Sequence, residues 1–404
     1  MCKRLNSNLF FESAYQHDFF GYFNKSPISL NKKFIVFHSS NFKGRMPSQG
    51  EKIKIILYDT LKKTYSELDN TASWNWQIGS MLQWLDQNTK VIYNTFEYNN
   101  PSTIILDVQT NIKERHPYNF ITVNKNLSCY LSINFNLLND SRVGYGYNYG
   151  KKYNKDFYFI EYNYLKKKIN FKLDKKFFQK KNNSFKNHSL EHFEYSPSGN
   201  MISFIERWDI SNSHRFSRLV IMDRKSKKYL FTTNCGRLTH YIWLNDNSIV
   251  YFGSSSSLVT NKFRNQKPYL FNKLLKFYKF LKFNKINFIK NNLNGDGFKL
   301  LDLKLNQVMD IPIDKKYGDG HPTYNQSQNK IFIDTYPDTN GNCYLYSFDF
   351  NTNFTDLIHE FKVDTKSLNS GYRTDLHPKI SFSNDLVFLD YENSHRRMIK
   401  ALKI

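Results

Sequence analysis

Three histidines occupy the same kind of position in this chain. His240 lies in LTHYIWL, His321 in GDGHPTY and His377 in RTDLHPK, each just before or on an apolar stretch that reads as a strand. Arg373 and Asp375 precede His377, and Asp334 and Tyr336 follow His321 in IDTYP. Neutral imidazole combined with carboxylate suits a borderline divalent ion such as manganese, iron or zinc. Asp375 and His377 are two residues apart, so on an extended strand both side chains point to one face. His321 would complete a three-ligand site with open positions, and such a site acts as a Lewis acid toward a bound carboxylate. The same residues have a plainer use, which is to join neighbouring sheets by hydrogen bonds. Spacing alone leaves both readings open.

Other residues that could do chemistry are less organised. Trp74, Trp76 and Trp84 in SWNWQIGSMLQWL suit stacking on a sugar ring or filling a core; Trp76 is kept as a candidate sugar contact and Trp84 is expected in the core. His38, His116, His188, His192, His359 and His395 have no companions at useful spacing and are expected to be core or surface residues. There is no phosphate-cradling glycine loop, and the GYGY at 144–147 reads as a turn. No pair of carboxylates stands out for two-acid glycoside hydrolysis. The four cysteines, Cys2, Cys129, Cys235 and Cys343, are too scattered for a disulfide framework or a zinc module. The N-terminus shows no signal-peptide pattern and no apolar run is long enough to span a bilayer, so a reducing cytoplasm is the expected location.

The elements that must position these residues recur along the chain. A polar stretch with Pro or Trp is followed by a tight turn, an apolar strand, a second strand ending in Asp, and a third strand. SPISLNKKFIVFHSS, MLQWLDQNTKVIYNTFE, TVNKNLSCYLSINF, EYSPSGNMISFIER, YIWLNDNSIVYFGS, HPTYNQSQNKIFIDTY and HPKISFSNDLVFLDYE open the successive copies. Seven units of about 45 to 60 residues, each a small antiparallel sheet, are the pattern of propeller blades. The expected fold is all-β: a seven-bladed β-propeller occupying residues 1–404 as one domain. The last unit has only three obvious strands, and an N-terminal strand near Leu9–Ser13 would complete it and remove an exposed edge. In propellers the innermost strands line a central channel, so His240, His321 and His377 would face a common space.

One segment breaks this rhythm. A basic insertion at 256–293 in blade five contains Phe271, Leu274, Leu275, Tyr278 and Leu281 at helical spacing with lysines between. A basic amphipathic helix at 268–290 would give peripheral contact with an anionic membrane; the alternative is a loop or helix packed on the side of the blade. A second basic stretch, Lys166 to Lys186, reads as an exposed connection. Overall, 58 Lys+Arg against 35 Asp+Glu give a net charge of +23, which attracts polyanions such as acidic polysaccharide. The abundance of Lys, Asn, Ile, Phe and Tyr also matches AT-rich codon usage, which would supply basic charge without any polyanion. Nothing reads as a specific nucleic-acid partner.

The segments GDGHPTYN…IDTYP and RTDLHPKIS…LVFLD resemble the oligogalacturonate lyase family and related TolB-like propellers, some of them linked to surface-polysaccharide pathways. The resemblance is best over residues 190–404, and WNWQIGSMLQW and GYGY extend it through uncharacterised relatives. It implies a seven-bladed propeller that holds manganese through three His and one Gln, and β-elimination of a uronate with a histidine base assisted by an arginine. On the matching positions, His321, Asp375 and His377 are the implied metal ligands, His240 the base and Arg215 the arginine. Arg373, Tyr336 and Trp76 are the candidate substrate contacts. The sequence departs twice: Asp375 stands where the family has a His ligand, and the Gln position falls near Tyr372. The expected function is a carbohydrate-active propeller with an acidic oligosaccharide as partner and a divalent metal, Mn2+, as cofactor. The alternative is a non-catalytic glycan-binding or scaffold propeller.

Overall fold

A computed structural model describes residues 8–404 apart from 143, 151–156, 175–176, 179–185, 212–213, 234–235, 255–294, 339 and 364–369. The expected insertion at 256–293, with its membrane segment 268–290, lies outside the described residues. Among the described residues the strands form seven four-stranded sheets, and six of them use four strands consecutive in sequence. The seventh takes its outer strand from the other end of the chain: Leu9–Glu12 pairs antiparallel with Arg397–Lys403, beside Leu386–Glu392 and Lys379–Ile380. This is the strand organisation of a seven-bladed β-propeller, with the expected N-terminal completion of the last blade. No helix among the described residues is long and apolar enough to cross a membrane.

Contacts group the chain into two compact units. The first comprises Met1–Lys181, Thr323–Asp349 and Asp356–Ile404, and the second Asn182–Pro322 with Phe350–Thr355. The first unit holds sheets one, two, three and seven and the body of sheet six; the second holds sheets four and five.

The recurring aspartate at the end of a strand has a local cause. The Asp59 carboxylate accepts main-chain N–H bonds from Leu61 and Lys62 at 2.9 and 3.0 Å. Asp107 does the same for Gln109 and Thr110, and Asp302 for Lys304 and Leu305. Each carboxylate satisfies the N–H groups of the hairpin that follows it, which makes these tips reproducible without a core. These bonds hold the Asp59 and Asp107 carboxyls below their ordinary value. Several hairpins then need a left-handed residue, supplied by Asn111, Asn306 and Asn353, the non-glycine type that tolerates it best.

Second strands are apolar on both faces because the sheets are covered on both sides. Every residue of Phe34–Ser40 is buried, whereas the outer strand Thr64–Thr71 is exposed or half-buried at every residue but Thr71. One sequence expectation is corrected, and one element is added. Lys168–Asp174, read as part of a loop, is the outer strand of the third sheet, and its alternation of exposed and half-buried residues fits an edge strand. A helix, Phe135–Ser141, follows the second strand of that sheet; Asn134 caps it by accepting N–H bonds from Asn136 and Leu137.

His38 is a core residue, fully buried in the first unit. One ring nitrogen, Nδ1, lies 3.0 Å from the Phe20 carbonyl, and Nε2 lies 3.1 Å from the Ser80 N–H. These partners require a proton on Nδ1 and a lone pair on Nε2, so the ring is held neutral. Burial pushes its pKa down to about 3, against weaker upward pulls from the Phe20 and Phe19 main chain. The unfolded chain therefore takes up a proton near the ordinary histidine pKa while the folded chain does not. The His38 contribution to stability is complete above about pH 6.5 and declines as pH falls toward about 3. Urea unfolding from pH 7.5 to 4 should show this decline, and His38→Gln should flatten it; an unchanged slope in the variant would assign the effect elsewhere.

Candidate functional site

In the first unit the segment before the last inner strand carries the chemistry. His377 sits at a φ of 45°, a left-handed conformation that is costly for a bulky residue and persists only where its surroundings impose it. Two contacts do so. The main-chain N–H of His377 donates to Asp334 Oδ2 at 2.9 Å, and its Nδ1 lies 2.7 Å from the Gly21 carbonyl oxygen. The second contact places the ring proton on Nδ1 and the lone pair on Nε2, the arrangement found in metal-ligating histidines. That Nε2 is 3.9 Å from Asp375 Oδ2.

Asp375 is buried between this ring and Arg373. Arg373 Nε donates to Oδ1 at 3.1 Å, and Nη2 lies 2.9 Å from Oδ2 as an ion pair. Oδ2 nonetheless accepts no hydrogen bond of good geometry, which leaves a buried carboxylate oxygen with unused capacity. Arg373 reaches outward from there. Its Nη2 donates to the Tyr145 hydroxyl at 3.2 Å, and its guanidinium lies 5.9 Å from the centre of the Tyr336 ring. Burial would lower the Arg373 pKa, but the Asp375 carboxylate and the two tyrosines hold it above its ordinary value. Arg373, Tyr145 and Tyr336 are half-buried and form the accessible rim, while Asp375 and His377 lie beneath it.

The WNWQ and GYGY segments turn out to support this rim. Asn75 accepts the N–H groups of Gln77 and Ile78 and donates to the Gly146 carbonyl at 2.8 Å. Gln77 donates to the Arg373 carbonyl at 2.9 Å. A Cβ on Gly146 would stand 2.1 Å from the Phe135 carbonyl oxygen, so only glycine lets this chain pass. Trp76 is corrected from a sugar contact to a core residue. It is 3% exposed, its Nε1 donates to the Arg45 carbonyl, and the Arg397 guanidinium covers its ring at 3.9 Å. Trp84 is in the core as expected.

In the second unit His240 and His321 come together, with ring centres 4.1 Å apart. Asp319 orients His240: its Oδ1 is 3.3 Å from His240 Nδ1 and accepts the Thr239 hydroxyl at 2.8 Å, and its Oδ2 accepts Arg237 Nη2 at 2.9 Å. Although burial favours the neutral acid, Arg237 and the His240 and Thr239 donors hold the Asp319 pKa below the usual carboxylate range. An anionic Asp319 makes Nδ1 the protonated nitrogen of His240 and leaves Nε2 basic. Burial, with the neighbouring His321, pushes the His240 pKa well down despite Asp319, so the imidazole is neutral at pH 7. His192, read from sequence as having no companion, stands edge-on to His240 at 5.7 Å and is itself left-handed at a φ of 52°. Arg215 lies on the strand His214–Asp223, opposite Asp209; its side chain is outside the described residues.

Sequence reasoning missed Asp319, Arg237 and His192. For Asp319 a signal existed: it is two residues before His321 in the GDGHP segment singled out for His321. Arg237 and His192 carry none, because their roles depend on strand pairing across distant parts of the chain.

The fold and these residues define an all-β propeller with buried histidine–carboxylate clusters at or just before its inner strands. No family model matches this sequence, and no curated relative matches it. Solved structures do match in fold. The chain is similar to an oligogalacturonate lyase in complex with manganese, at 10% identity and a TM-score of 0.61, covering 98% of this chain and 96% of that one. It is similar to an oligogalacturonate lyase from Vibrio parahaemolyticus at 10% identity, with 96% and 91% covered and a TM-score of 0.59. The β-propeller domain of the Trilobed protease from Pyrococcus furiosus matches with a TM-score of 0.51 at 10% identity, covering 96% of each chain. The expected resemblance therefore holds at the level of the fold.

Asp334 is one of the two groups that impose the strained His377 backbone, so its loss should be felt locally and in stability. Asp334→Ala should lower unfolding free energy by about 2 kcal/mol, the scale for a buried hydrogen bond to a charged acceptor. Asp334→Asn retains an acceptor oxygen and should recover most of that loss. Equal losses in urea titrations of the two variants would show that the carboxylate acts through charge rather than through the His377 bond.

Proposed function

We propose that this chain is a carbohydrate-active propeller that binds a divalent ion through His321, Asp375 and His377 and receives the carboxylate of a uronate-containing oligosaccharide at Arg373. The observation that carries this reading is the pair Asp375 and His377: a buried carboxylate oxygen with unused capacity beside an imidazole whose lone pair is fixed on the facing nitrogen. An N,N,O donor set of this kind suits manganese or zinc. When bound, the ion supplies Lewis-acid polarisation of a carboxylate. The chain's own residues do the rest. Arg373, carrying Tyr145 and Tyr336 beside it, binds and orients an anionic sugar at the rim. Neutral His240, held by Asp319, takes the proton next to the uronate carboxylate through Nε2, and the 4-oxygen of the sugar leaves. Manganese in a similar fold supports the choice of metal. Arg373 already neutralises part of the Asp375 charge, so the affinity for the ion should be lower than for an all-histidine set.

A second reading, a non-catalytic glycan-binding or scaffold propeller, is favoured by one observation: His240 is 2% exposed. A buried base serves orientation and packing as well as it serves catalysis.

Metal analysis of the purified protein, paired with ultraviolet detection of unsaturated uronides on a panel of acidic oligosaccharides, separates the readings. The lyase reading expects about one divalent ion per chain, product that disappears on chelation, and loss of metal in His377→Ala. It also expects His240→Ala to retain metal while turnover falls by about 10² or more. Metal and sugar retention without product would support the binding reading, and absence of metal at micromolar supply would overturn the proposed ligand set.

A further inference from the structure

Consecutive strands of each sheet run antiparallel, so the first and third turns come out at one end of the sheet and the second turn at the other. In the first unit the first turns of three sheets are joined. The Leu30 N–H donates to the Gln87 carbonyl at 2.7 Å, the Asn31 N–H donates to Asn88 Oδ1 at 3.2 Å, and Lys32 pairs with Asp385. Sheets seven, one and two therefore present these ends on one face. Sheet three follows sheet two in the same sense, as consecutive propeller blades do.

Three third turns on this face carry a large aliphatic residue. Leu61, between Ile53–Asp59 and Thr64–Thr71, is 77% exposed. Ile112, just before Lys113–Pro117, is 64% exposed, and Leu165, between Phe157–Asn163 and Lys168–Asp174, is 71% exposed. Turns ordinarily take Gly, Asn, Asp, Ser or Pro. A single exposed leucine is unremarkable, but the same device on three adjacent sheets is a pattern. The turns are also fixed: Asp59 and Asp107 hold two of them as described, and Asn163 Oδ1 accepts the Lys166 N–H at 2.7 Å.

Charge on this face has one dominant sign. Lys62 and Lys63 adjoin Leu61, Lys166 and Lys167 adjoin Leu165, and all four are exposed. The carboxylates at the same end are turned to other work. Asp59 and Asp107 accept turn N–H groups, Asp86 accepts those of Asn88, Thr89 and Lys90, and Asp385 pairs with Lys32.

We infer that this face of the first unit docks on an anionic lipid surface. Leu61, Ile112 and Leu165 enter the boundary between head groups and acyl chains, and the lysines meet lipid anions. Charge complementarity sets the sign of the partner, and the aliphatic turns select a bilayer: a soluble polyanion would be held by the lysines alone and would gain nothing from the leucines. The candidate site lies at the other end. Asp375 and His377 precede Lys379–Ile380, and that strand runs toward the Asp385 turn. Docking would therefore leave the Arg373 rim facing solution, and it does not rest on the lyase reading.

Co-sedimentation of the full chain with vesicles of phosphatidylcholine, alone or with about 30% phosphatidylserine, tests this. Binding should require the anionic lipid and weaken about 10-fold or more between about 0.1 and 0.5 M salt. Leu61→Ser combined with Leu165→Ser should lower vesicle binding about 10-fold while heparin binding and Tm stay unchanged, because both side chains lie outside the core. Lys62→Gln combined with Lys63→Gln should lower vesicle binding about 5-fold per lysine. The emission of Leu61→Trp should shift to the blue on anionic vesicles. That of Tyr98→Trp, in the exposed second turn of sheet two, should not. The inference is overturned if the parent chain ignores anionic vesicles, if the double serine variant binds them as tightly as the parent, or if Tyr98→Trp shifts and Leu61→Trp does not.

Discussion

The first unit depends on the carboxylate of Asp390. One oxygen accepts the Phe20 N–H at 2.9 Å and the other the Gly21 N–H at 2.8 Å. Lys379 completes the cluster, with its Nζ 3.2 Å from Oδ2 and no exposed surface of its own. Hydrogen bonds to an ionised acceptor are among the stronger ones available, and here they fix a two-residue stretch of main chain. Both carbonyls of that stretch are then used. Phe20 presents its oxygen to His38, and Gly21 presents its oxygen to His377. A single buried carboxylate thus sets the tautomer of a core histidine and of a candidate metal ligand.

The close approach of main chains makes this arrangement intolerant of side chains. A Cβ on Gly21 would lie 2.5 Å from the Gly79 nitrogen, and one on Gly79 would lie 2.4 Å from His38 Cε1. Both glycines also have positive φ, at 97° and 57°. The network carries its charges in pairs: Lys379 with Asp390, Arg373 with Asp375, and Arg397 with Glu392 at 3.1 Å. Removing one member would strand a buried charge, a far larger cost than the pair's net worth. Since these cations are matched, they do not account for the surplus of positive charge.

The repeat pattern made the fold legible because sheet formation here is local. Turn aspartates, apolar second strands and left-handed asparagines all act within one hairpin, and each leaves a mark at fixed spacing. Asp375 and His377 do come together, but not for the reason read from the sequence: they lie before the strand Lys379–Ile380 rather than on it, and His377 is left-handed rather than extended. Asp319 was half legible, present in a singled-out segment but without a visible partner until strand pairing brought it to His240. Trp76 was misread because a tryptophan beside polar residues looks the same whether a sugar or a buried guanidinium covers it; only the position of Arg397, over three hundred residues away, decides.

The two histidine clusters differ in a way that bears on chemistry. Around His377 the fixed elements are the Gly21 carbonyl oxygen and the Asp334 carboxylate, and the accessible rim belongs to Arg373, whose charge is secured by Asp375. The ion pair and the Tyr145 hydroxyl hold that guanidinium in place. Around His240 the fixed element is an ion-paired carboxylate that grips Nδ1, while burial lowers the affinity of Nε2 for a proton. A strongly depressed pKa keeps a base neutral but weakens its pull, and efficient proton abstraction needs the two pKa values brought closer together. A negative charge brought close to His240 would do that by favouring the imidazolium, since such a charge raises a histidine pKa. Asp319 holds the ring so that only Nε2 can respond.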